Sequence, residues 1–331
     1  MPLPKVAFVG TGGTIASVGV GPLDLAGYAK TGKVYALEEL LALAPELALV
    51  ADVVQAPFRQ VHSTAFGPAD WPDLARHIEA TLAADPEIQG AVVTHGTATL
   101  EETAYYLNLV LKTDRTVVLV GAQRPPTGLS TDAFLNLVNG ARVAAAPQAR
   151  GMGVLVCLND EIHAARDVVK TSTFRLQTFR TPDFGLLGHA DPDRVEFFRR
   201  PIRAHAPGTP FGVEAALPRV DIAMSYAGSD GAQIRGLLHA NPAGIVVAGF
   251  APGLVTPGER AAIVESLDAG VAVVQSTRAL SGRVVEIPDY RPKGIIVSGN
   301  LSPQKSRVLL MLALAHGLSS SADLQAAFET Y

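Results

Sequence analysis

Short runs of apolar, mostly β-branched residues alternate along this chain with longer segments that are apolar on one face. Such runs, ending at glycine or a hydroxyl residue, are typical of buried strands, and the longer segments are typical of amphipathic helices. Strands are predicted at 6–9, 49–54, 116–122, 153–158, 220–226, 244–249, 271–276 and 294–297, with a further strand beginning at residue 90. Helices are predicted at 36–43, 230–240, 258–268, 303–315 and 322–330, with others starting near residues 68, 100 and 132. This alternation indicates an α/β fold with parallel sheets.

The alternation stops after about residue 170 and resumes at residue 220. Between these points, residues 201–218 contain four prolines and a Pro-Gly pair, a composition typical of a linker. We therefore predict a larger N-terminal α/β domain at 1–200, a linker at 201–218 and a smaller C-terminal α/β domain at 219–331.

Composition excludes several classes of protein. With 331 residues, of which 48% are hydrophobic, the chain can bury two sizeable cores. Its 27 basic and 31 acidic residues give a net charge of −4, so we expect no nucleic-acid partner. No apolar run approaches the ~20 residues of a membrane span, and no leader-like segment precedes the first strand, so the expectation is a cytoplasmic protein without membrane association. The single cysteine, Cys157, lies in an apolar run and is expected to be a buried, inert thiol.

Two predicted strands end in loops that carry threonine. The first ends in Thr11-Gly-Gly-Thr14, which lacks the glycine spacing of a dinucleotide loop because the sixth position from Gly10 is Ile15. The second ends in Gly96-Thr97. Thr99 and Glu102 have the spacing of a capping box and predict that a helix starts there. Thr97 would then lie beside free backbone N–H groups at a helix N-terminus, although a simple turn threonine fits the same pattern.

Four further polar residues have both a functional and a structural interpretation. Tyr28 lies in a glycine-rich segment at 17–33 that resembles a mobile lid, but it could be an ordinary surface tyrosine. Ser63 and Thr64 follow a strand and could simply cap the next turn. Lys170 could lie on a surface loop, whereas in a cleft desolvation would lower its pKa and make it a proton acceptor.

Other hydrolase and metal signatures are missing from the sequence. It contains no Gly-x-Ser-x-Gly elbow, and Cys157 is in the middle of a predicted strand, where it could not act as a nucleophile. The eight histidines form no His-Glu-x-x-His motif and no close pair, and with one cysteine a structural zinc site is not indicated. The residues therefore indicate no metal site.

The threonine motifs resemble the two signatures of the bacterial-type L-asparaginase family. The matching segments are Thr11-Gly-Gly-Thr14-Ile-Ala16 and Thr94-His-Gly-Thr97-x-Thr99-x-Glu-Glu-Thr103-Ala104. Further matches at Gly121-Ala122-x-Arg124-Pro125, Arg166-Asp167-Val-x-Lys170-Thr171, Tyr226-Ala227 and Ser298-Gly299 extend the resemblance over nearly the whole chain. The resemblance implies a two-domain α/β fold and cofactor-free hydrolysis of the side-chain amide of asparagine, often also of glutamine. It also implies a homotetramer of intimate dimers, in which a neighbour's C-terminal domain completes each site.

The resemblance assigns roles to individual residues. Thr14 matches the family's nucleophile, Tyr28 matches the tyrosine that helps to activate it, and Thr97 matches a second threonine paired with Lys170. An acyl-enzyme would form on Thr14, ammonia would leave, and water would release the acid.

The remaining matches concern substrate binding. Ser63 matches the serine that binds the substrate α-carboxylate, and the Ala122 carbonyl would accept from the leaving amide nitrogen. Glu286, or Asp289 after a small shift, could replace the glutamate offered by the neighbouring subunit.

The chain departs from the family around the substrate α-amino group. Ala98 stands where the family has aspartate, Thr64 stands where it has glutamine, and 250–253 reads Phe-Ala-Pro-Gly in place of Gly-Asn-Gly. A charge-assisted contact contributes about 1.5–3 kcal/mol, so losing two would weaken asparagine binding by about two to four decades. The alternatives to an asparaginase are thus an amidase for a small amide or imide without a free α-amino group, and a catalytically silent binding protein.

Overall fold

A computed structural model of the protein describes residues 2–213, 216–288 and 290–331. The chain divides into two compact units, the first ending at Val213 and the second comprising the remainder. Asp289, one of the two acids considered for a shared site, lies outside the described residues.

The first unit is built on an eight-stranded sheet. Its strands are β1 Lys5–Gly12, β2 Asp52–Val61, β3 Ile88–Thr94, β4 Thr116–Val120, β5 Val154–Leu158, β6 Glu161–Ala164, β9 Gly188–Ala190 and β10 Val195–Phe197. Their order across the sheet is β10-β9-β6-β5-β4-β3-β1-β2. A separate pair is formed by β7 Val169–Lys170 and β8 Phe179–Arg180. The helices are α1 Leu37–Ala42, α2 Trp71–Ala84, α3 Leu100–Val110 and α4 Ala133–Ala145.

Strands β2, β1, β3, β4 and β5 run parallel, as predicted. Between its two parallel neighbours, β1 is buried almost throughout, which explains its unbroken apolar run. Gly10 of β1 is paired in register with Thr94 of β3. The loops that follow these two strands therefore leave the same edge of the sheet, the position at which open α/β sheets bind ligands.

Two parts of this sheet differ from the prediction. The strand predicted at 49–54 exists but is displaced: a 3-10 turn, Pro45–Leu49, precedes it, and the strand is the longer β2, which starts at Asp52 and runs to Val61. This edge strand carries exposed polar residues and lacks a continuous apolar pattern. Strands β6, β9 and β10 extend the sheet in antiparallel fashion and were not predicted. Asn159 and Asp160, both at positive φ, form the two-residue turn between β5 and β6, so a hairpin signal was present in the sequence.

The second unit has four parallel strands, confirming the predicted parallel α/β domain. They are β11 Val220–Met224, β12 Gly244–Gly249, β13 Ala272–Thr277 and β14 Ile296–Val297, with α5 Ala232–Leu238, α6 Pro257–Asp268, α7 Pro303–Ala315 and α8 Ser321–Thr330. The predicted start of α7 is confirmed, since the Ser302 hydroxyl accepts from the Lys305 N–H and Pro303 occupies the first turn. None of the described helices is both long and apolar enough to cross a membrane.

Candidate active site

The loops after β1 and β3 touch through their glycines. A Cβ built on Gly13 would lie 2.1 Å from the Cα of Gly96, so neither backbone leaves room for a side chain there. Gly13 also has φ 89° and ψ −171°, a conformation restricted essentially to glycine. Thr11 ties the same loops together because its hydroxyl donates to the Thr94 carbonyl at 2.8 Å. The loops that carry the two threonine motifs therefore pack against each other at one place on the sheet edge.

Thr14 begins a short 3-10 turn immediately after Gly13. The turn is anchored by Ile15 and Ala16, which are completely buried, while Thr14 itself stays partly accessible. The Thr14 Oγ1 lies 2.8 Å from the hydroxyl oxygen of Tyr28, within hydrogen-bond distance. The structure therefore brings together the two residues that the sequence placed fourteen positions apart.

Tyr28 belongs to the glycine-rich segment at 17–33, which is fastened at several points. The Gly19 N–H donates to the Thr127 hydroxyl at 2.8 Å, and the Leu129 N–H donates to the Pro22 carbonyl at 2.8 Å. These bonds hold the segment over the end of β1 with Tyr28 directed at Thr14. Opening of this segment as a lid stays a prediction.

Thr97 and Lys170 form the second pair. The Lys170 Nζ donates to the Thr97 Oγ1 at 2.7 Å, although 73 residues separate them in sequence. Lys170 is partly buried, and desolvation lowers its pKa, while the Glu101 carboxylate opposes that shift. This is the behaviour expected of a lysine in a cleft and unlike that of a surface lysine, and it makes a neutral amine more accessible near physiological pH.

Ser63 lies against the second threonine loop. It is buried at the start of a 3-10 turn, Ser63–Ala65, and a Cβ on Gly96 would come within 2.3 Å of the Ser63 Cβ. The Thr99 hydroxyl donates to the Ser63 carbonyl at 2.9 Å. The predicted capping box is therefore wrong on the threonine side: Thr99 is the N-cap residue of α3, but its side chain makes no capping bond and bridges to the neighbouring loop.

Two positions that depart from the family pattern are exposed. Ala98 presents a methyl group to solvent between Thr97 and Thr99. The Thr64 hydroxyl lies 2.9 Å from Nδ1 of His62, which is also exposed. Neither position supplies a carboxylate or an amide.

Ala122 is completely buried in the loop after β4, next to the second threonine. A Cβ on the preceding Gly121 would lie 2.9 Å from the Thr97 Cγ2, so this loop packs directly against Thr97. Asp132 holds the loop from the other side, since its carboxylate accepts the N–H groups of Gln123 and Arg124 at 3.0–3.1 Å. The helix predicted to start near residue 132 is confirmed, since Asp132 is the N-cap residue of α4, although its side chain makes no cap bond.

The structure also defines the surroundings of three further residues. Glu286, in the second unit, accepts two bonds from the Arg291 guanidinium at 2.7 and 2.8 Å. Cys157 is a free, buried thiol, as expected, and burial raises its pKa to about 12. His95, not singled out in the sequence, is completely buried beside Gly96; desolvation lowers its pKa to about 4, so it is a neutral support for the loop.

Within the part of the chain that the structure describes, no group of three His, Cys, Asp or Glu side chains is arranged to hold a metal ion. The functional groups described at this edge of the sheet include the hydroxyls of Thr14, Tyr28 and Thr97, the Lys170 amine and backbone amides.

Replacing Gly13 by alanine should disrupt the junction of the two loops. The strained backbone alone costs about 1–3 kcal/mol, and the contact with Gly96 adds to it, so we expect the unfolding free energy of the first unit to fall by at least about 2 kcal/mol. Chemical denaturation of Gly13→Ala measures this. Gly32→Ala is the matched control, because Gly32 also has a positive φ of 64° but its Cβ would meet open space. Equal losses in both variants would show that the contact with Gly96 is unimportant.

The fold and site together define a two-unit α/β protein whose paired hydroxyl and amine groups suit acyl transfer. Comparison with known families makes this class specific. The family model described as "Asparaginase, N-terminal" matches residues 5–203, and that described as "Glutaminase/Asparaginase C-terminal domain" matches residues 219–328. The chain belongs to the asparaginase family of amidohydrolases.

Individual relatives agree over nearly their full length. L-asparaginase 2 of Bacillus subtilis is 39% identical, with 99% of this chain and 87% of that protein covered. The probable periplasmic L-asparaginase of Haemophilus influenzae is 39% identical, with 94% and 89% covered. The crystal structure of a probable cytoplasmic L-asparaginase from Campylobacter jejuni superimposes with a TM-score of 0.94, at 37% identity and 99% coverage of both chains.

Proposed function

We propose that this protein hydrolyses the side-chain amide of L-asparagine to aspartate and ammonia, and that glutamine is a secondary substrate. The observation that carries the proposal is the partly accessible Thr14 hydroxyl, 2.8 Å from the Tyr28 hydroxyl, on a loop packed against the Thr97–Lys170 pair. The names of the relatives, which are L-asparaginases and glutaminase-asparaginases, support the same substrates.

In the proposed reaction the Thr14 Oγ1 attacks the amide carbon while its proton passes to a neighbouring base. Tyr28 is the group within hydrogen-bond distance, and Lys170, bonded to Thr97, is a second proton acceptor. The C–N bond then breaks, the leaving nitrogen takes a proton and departs as ammonia, and an ester remains on Thr14. Water attacks this ester, giving aspartic acid and the free threonine.

The other predicted residues orient the substrate in this proposal. Ser63 binds the α-carboxylate, and the Ala122 carbonyl accepts a bond from the leaving amide nitrogen. Thr64 and Ala98 line the end of the site that receives the α-amino group. We further propose that the protein acts in the cytoplasm as a homotetramer in which Glu286 of a neighbouring subunit reaches the site, without a metal or a cofactor.

The first experiment is to measure ammonia release from L-asparagine by the purified protein, with aspartate identified as the second product. Stoichiometric ammonia and aspartate support the proposal. Absence of both, from folded protein over a wide range of asparagine concentrations, would contradict it.

A second candidate function is favoured by one observation, the exposed methyl group of Ala98 between Thr97 and Thr99. An aspartate at this position could pair with an α-ammonium group, and alanine cannot. The same catalytic groups would then serve a small amide without a free α-amino group, such as succinamate.

Restoring a carboxylate at position 98 distinguishes these two functions. We expect Ala98→Asp to lower the KM for L-asparagine about 10- to 100-fold, because a charge-assisted contact is worth about 1.5–3 kcal/mol. The KM for succinamate, which has no ammonium group, should not fall. Ala98→Asn is the control for shape without charge. An unchanged KM for asparagine in Ala98→Asp would show that another group already binds the α-ammonium.

A further inference from the structure

A carboxylate that is not used in the proposed reaction is buried beside Lys170. Glu101 lies in the first turn of α3 and is only 8% exposed, although it is charged. Burying a carboxylate is costly unless hydrogen bonds compensate, so a glutamate in this place needs a structural or functional reason. Its Oε2 accepts the backbone N–H of Lys170 at 3.2 Å, across 69 residues of sequence.

Lys170 is therefore held at two points by one short piece of chain. Its side-chain Nζ donates to the Thr97 Oγ1 at 2.7 Å, and its backbone N–H donates to the carboxylate of Glu101, which follows Thr97 by four residues. The strand that carries Lys170, β7, is only two residues long and pairs with an equally short β8. So short a ladder fixes the backbone weakly, and the bond to Glu101 supplements it.

We propose that Glu101 is a positioning residue for Lys170, fixing the lysine backbone so that its amine meets Thr97 and placing a negative charge beside that amine. This inference rests on the proposed function of the site. In this proposal Glu101 acts on the reaction through Lys170 and does not itself touch the reacting atoms.

The electrostatic part of this role follows from the groups around Lys170. Desolvation lowers the pKa of Lys170, and the Glu101 carboxylate raises it. Two arginines lie on the same two segments as Lys170: Arg166 donates to Asp167 at 2.9 Å, and Arg180 of β8 donates to Gln177 at 3.1 Å. Removing the Glu101 charge should therefore lower the pKa of Lys170 further, since an anion stabilises a neighbouring cation.

Two substitutions separate the effect of the Glu101 hydrogen bond, which positions Lys170, from the effect of the Glu101 charge. Glu101→Gln keeps an oxygen that can accept the Lys170 N–H but removes the charge, whereas Glu101→Ala removes both. A base must be neutral to act, so the acidic limb of the kcat/KM profile for asparagine should move to lower pH in Glu101→Gln. KM at the plateau should change less than about twofold. Glu101→Ala should lose about 10- to 100-fold in kcat, and Glu101→Gln should recover most of that loss.

The matched control is Glu102→Gln, which removes the same charge from the same turn of α3 and should leave the pH profile unchanged. An unshifted acidic limb in Glu101→Gln, or a wild-type profile in Glu101→Ala, would overturn the inference. Glu101→Gln keeps the size of the side chain, so the test does not depend on whether the alanine variant folds.

A second measurement does not require activity. The rate at which Lys170 reacts with an amine-modifying reagent, followed by peptide mass spectrometry over a range of pH, gives its titration midpoint in the intact protein. The midpoint should fall in Glu101→Gln and stay in place in Glu102→Gln. If wild-type protein releases no ammonia from asparagine, the proposed function fails; if the Lys170 midpoint does not move, the role of Glu101 fails.

Discussion

Thr14→Ala should lower the rate of ammonia release from L-asparagine by at least about 10³-fold, because the acyl group would have no oxygen on which to form an ester. The fold should be retained. Thr14 is partly accessible, and its 3-10 turn is anchored by the buried Ile15 and Ala16, so removing the hydroxyl and one methyl leaves no large cavity. Steady-state ammonia release by the variant and by wild-type protein, with melting temperatures as a check on folding, measures the effect.

Thr14→Ser is the control for this experiment, since it keeps a hydroxyl at the same position and should keep measurable activity. Rapid quenching followed by mass spectrometry should find the acyl group on the peptide that contains Thr14. If Thr14→Ala retained more than a few per cent of the activity, the nucleophile would have to be another hydroxyl, and Thr97 would be the next candidate.

The meeting of the two threonine loops could be predicted from sequence. The runs before Gly10 and Gly96 are apolar and β-branched, which indicates buried parallel strands, and parallel strands end at one edge of a sheet. Glycines at the start of the first loop allow the backbone to turn tightly at the end of its strand. The structure adds that Gly13 and Gly96 lie against each other, a detail that depends on the register between β1 and β3.

Side-chain partners could not be predicted in this way. Thr99, Asp132 and Glu101 all stand where local rules expect a residue that caps or charges a helix N-terminus. Thr99 and Asp132 make no side-chain cap bond. Asp132 bonds to the loop that precedes its own helix, while Thr99 and Glu101 bond to segments that only the tertiary fold brings near. A capping hydrogen bond at a helix N-terminus stabilises the fold by about 1 kcal/mol. A hydrogen bond of similar strength to another segment can therefore replace it.

The partner of Lys170 could not be predicted from the sequence for the same reason. Its loop carries no periodic pattern, because β7 and β8 contain two residues each. From the residues alone, surface loop and cleft were both open, and only the resemblance to a family paired Lys170 with Thr97. The contact itself depends on where β7 lies relative to α3, which hydrophobic periodicity does not encode.

If Thr97 and Lys170 act as one unit, removing either should cost nearly as much as removing both. We expect Thr97→Val and Lys170→Met each to lower kcat for asparagine by about 10²–10⁴-fold, the range for loss of a general base. The double variant should lose no more than the worse single variant, since the interaction is already broken. Both replacements conserve approximate size, and Lys33→Met, at an exposed lysine, controls for loss of charge.

The pH dependence gives this prediction a second, independent readout. In wild-type protein the amine of Lys170 must be neutral to take a proton, so activity should rise with pH through its lowered pKa. That acidic limb should disappear in Lys170→Met, because no titrating amine remains. In Thr97→Val it should persist, since the amine is still present but no longer bonded to a hydroxyl. Multiplicative losses in the double variant, or an acidic limb that survives Lys170→Met, would assign proton transfer to Tyr28 and leave Lys170 with an electrostatic role.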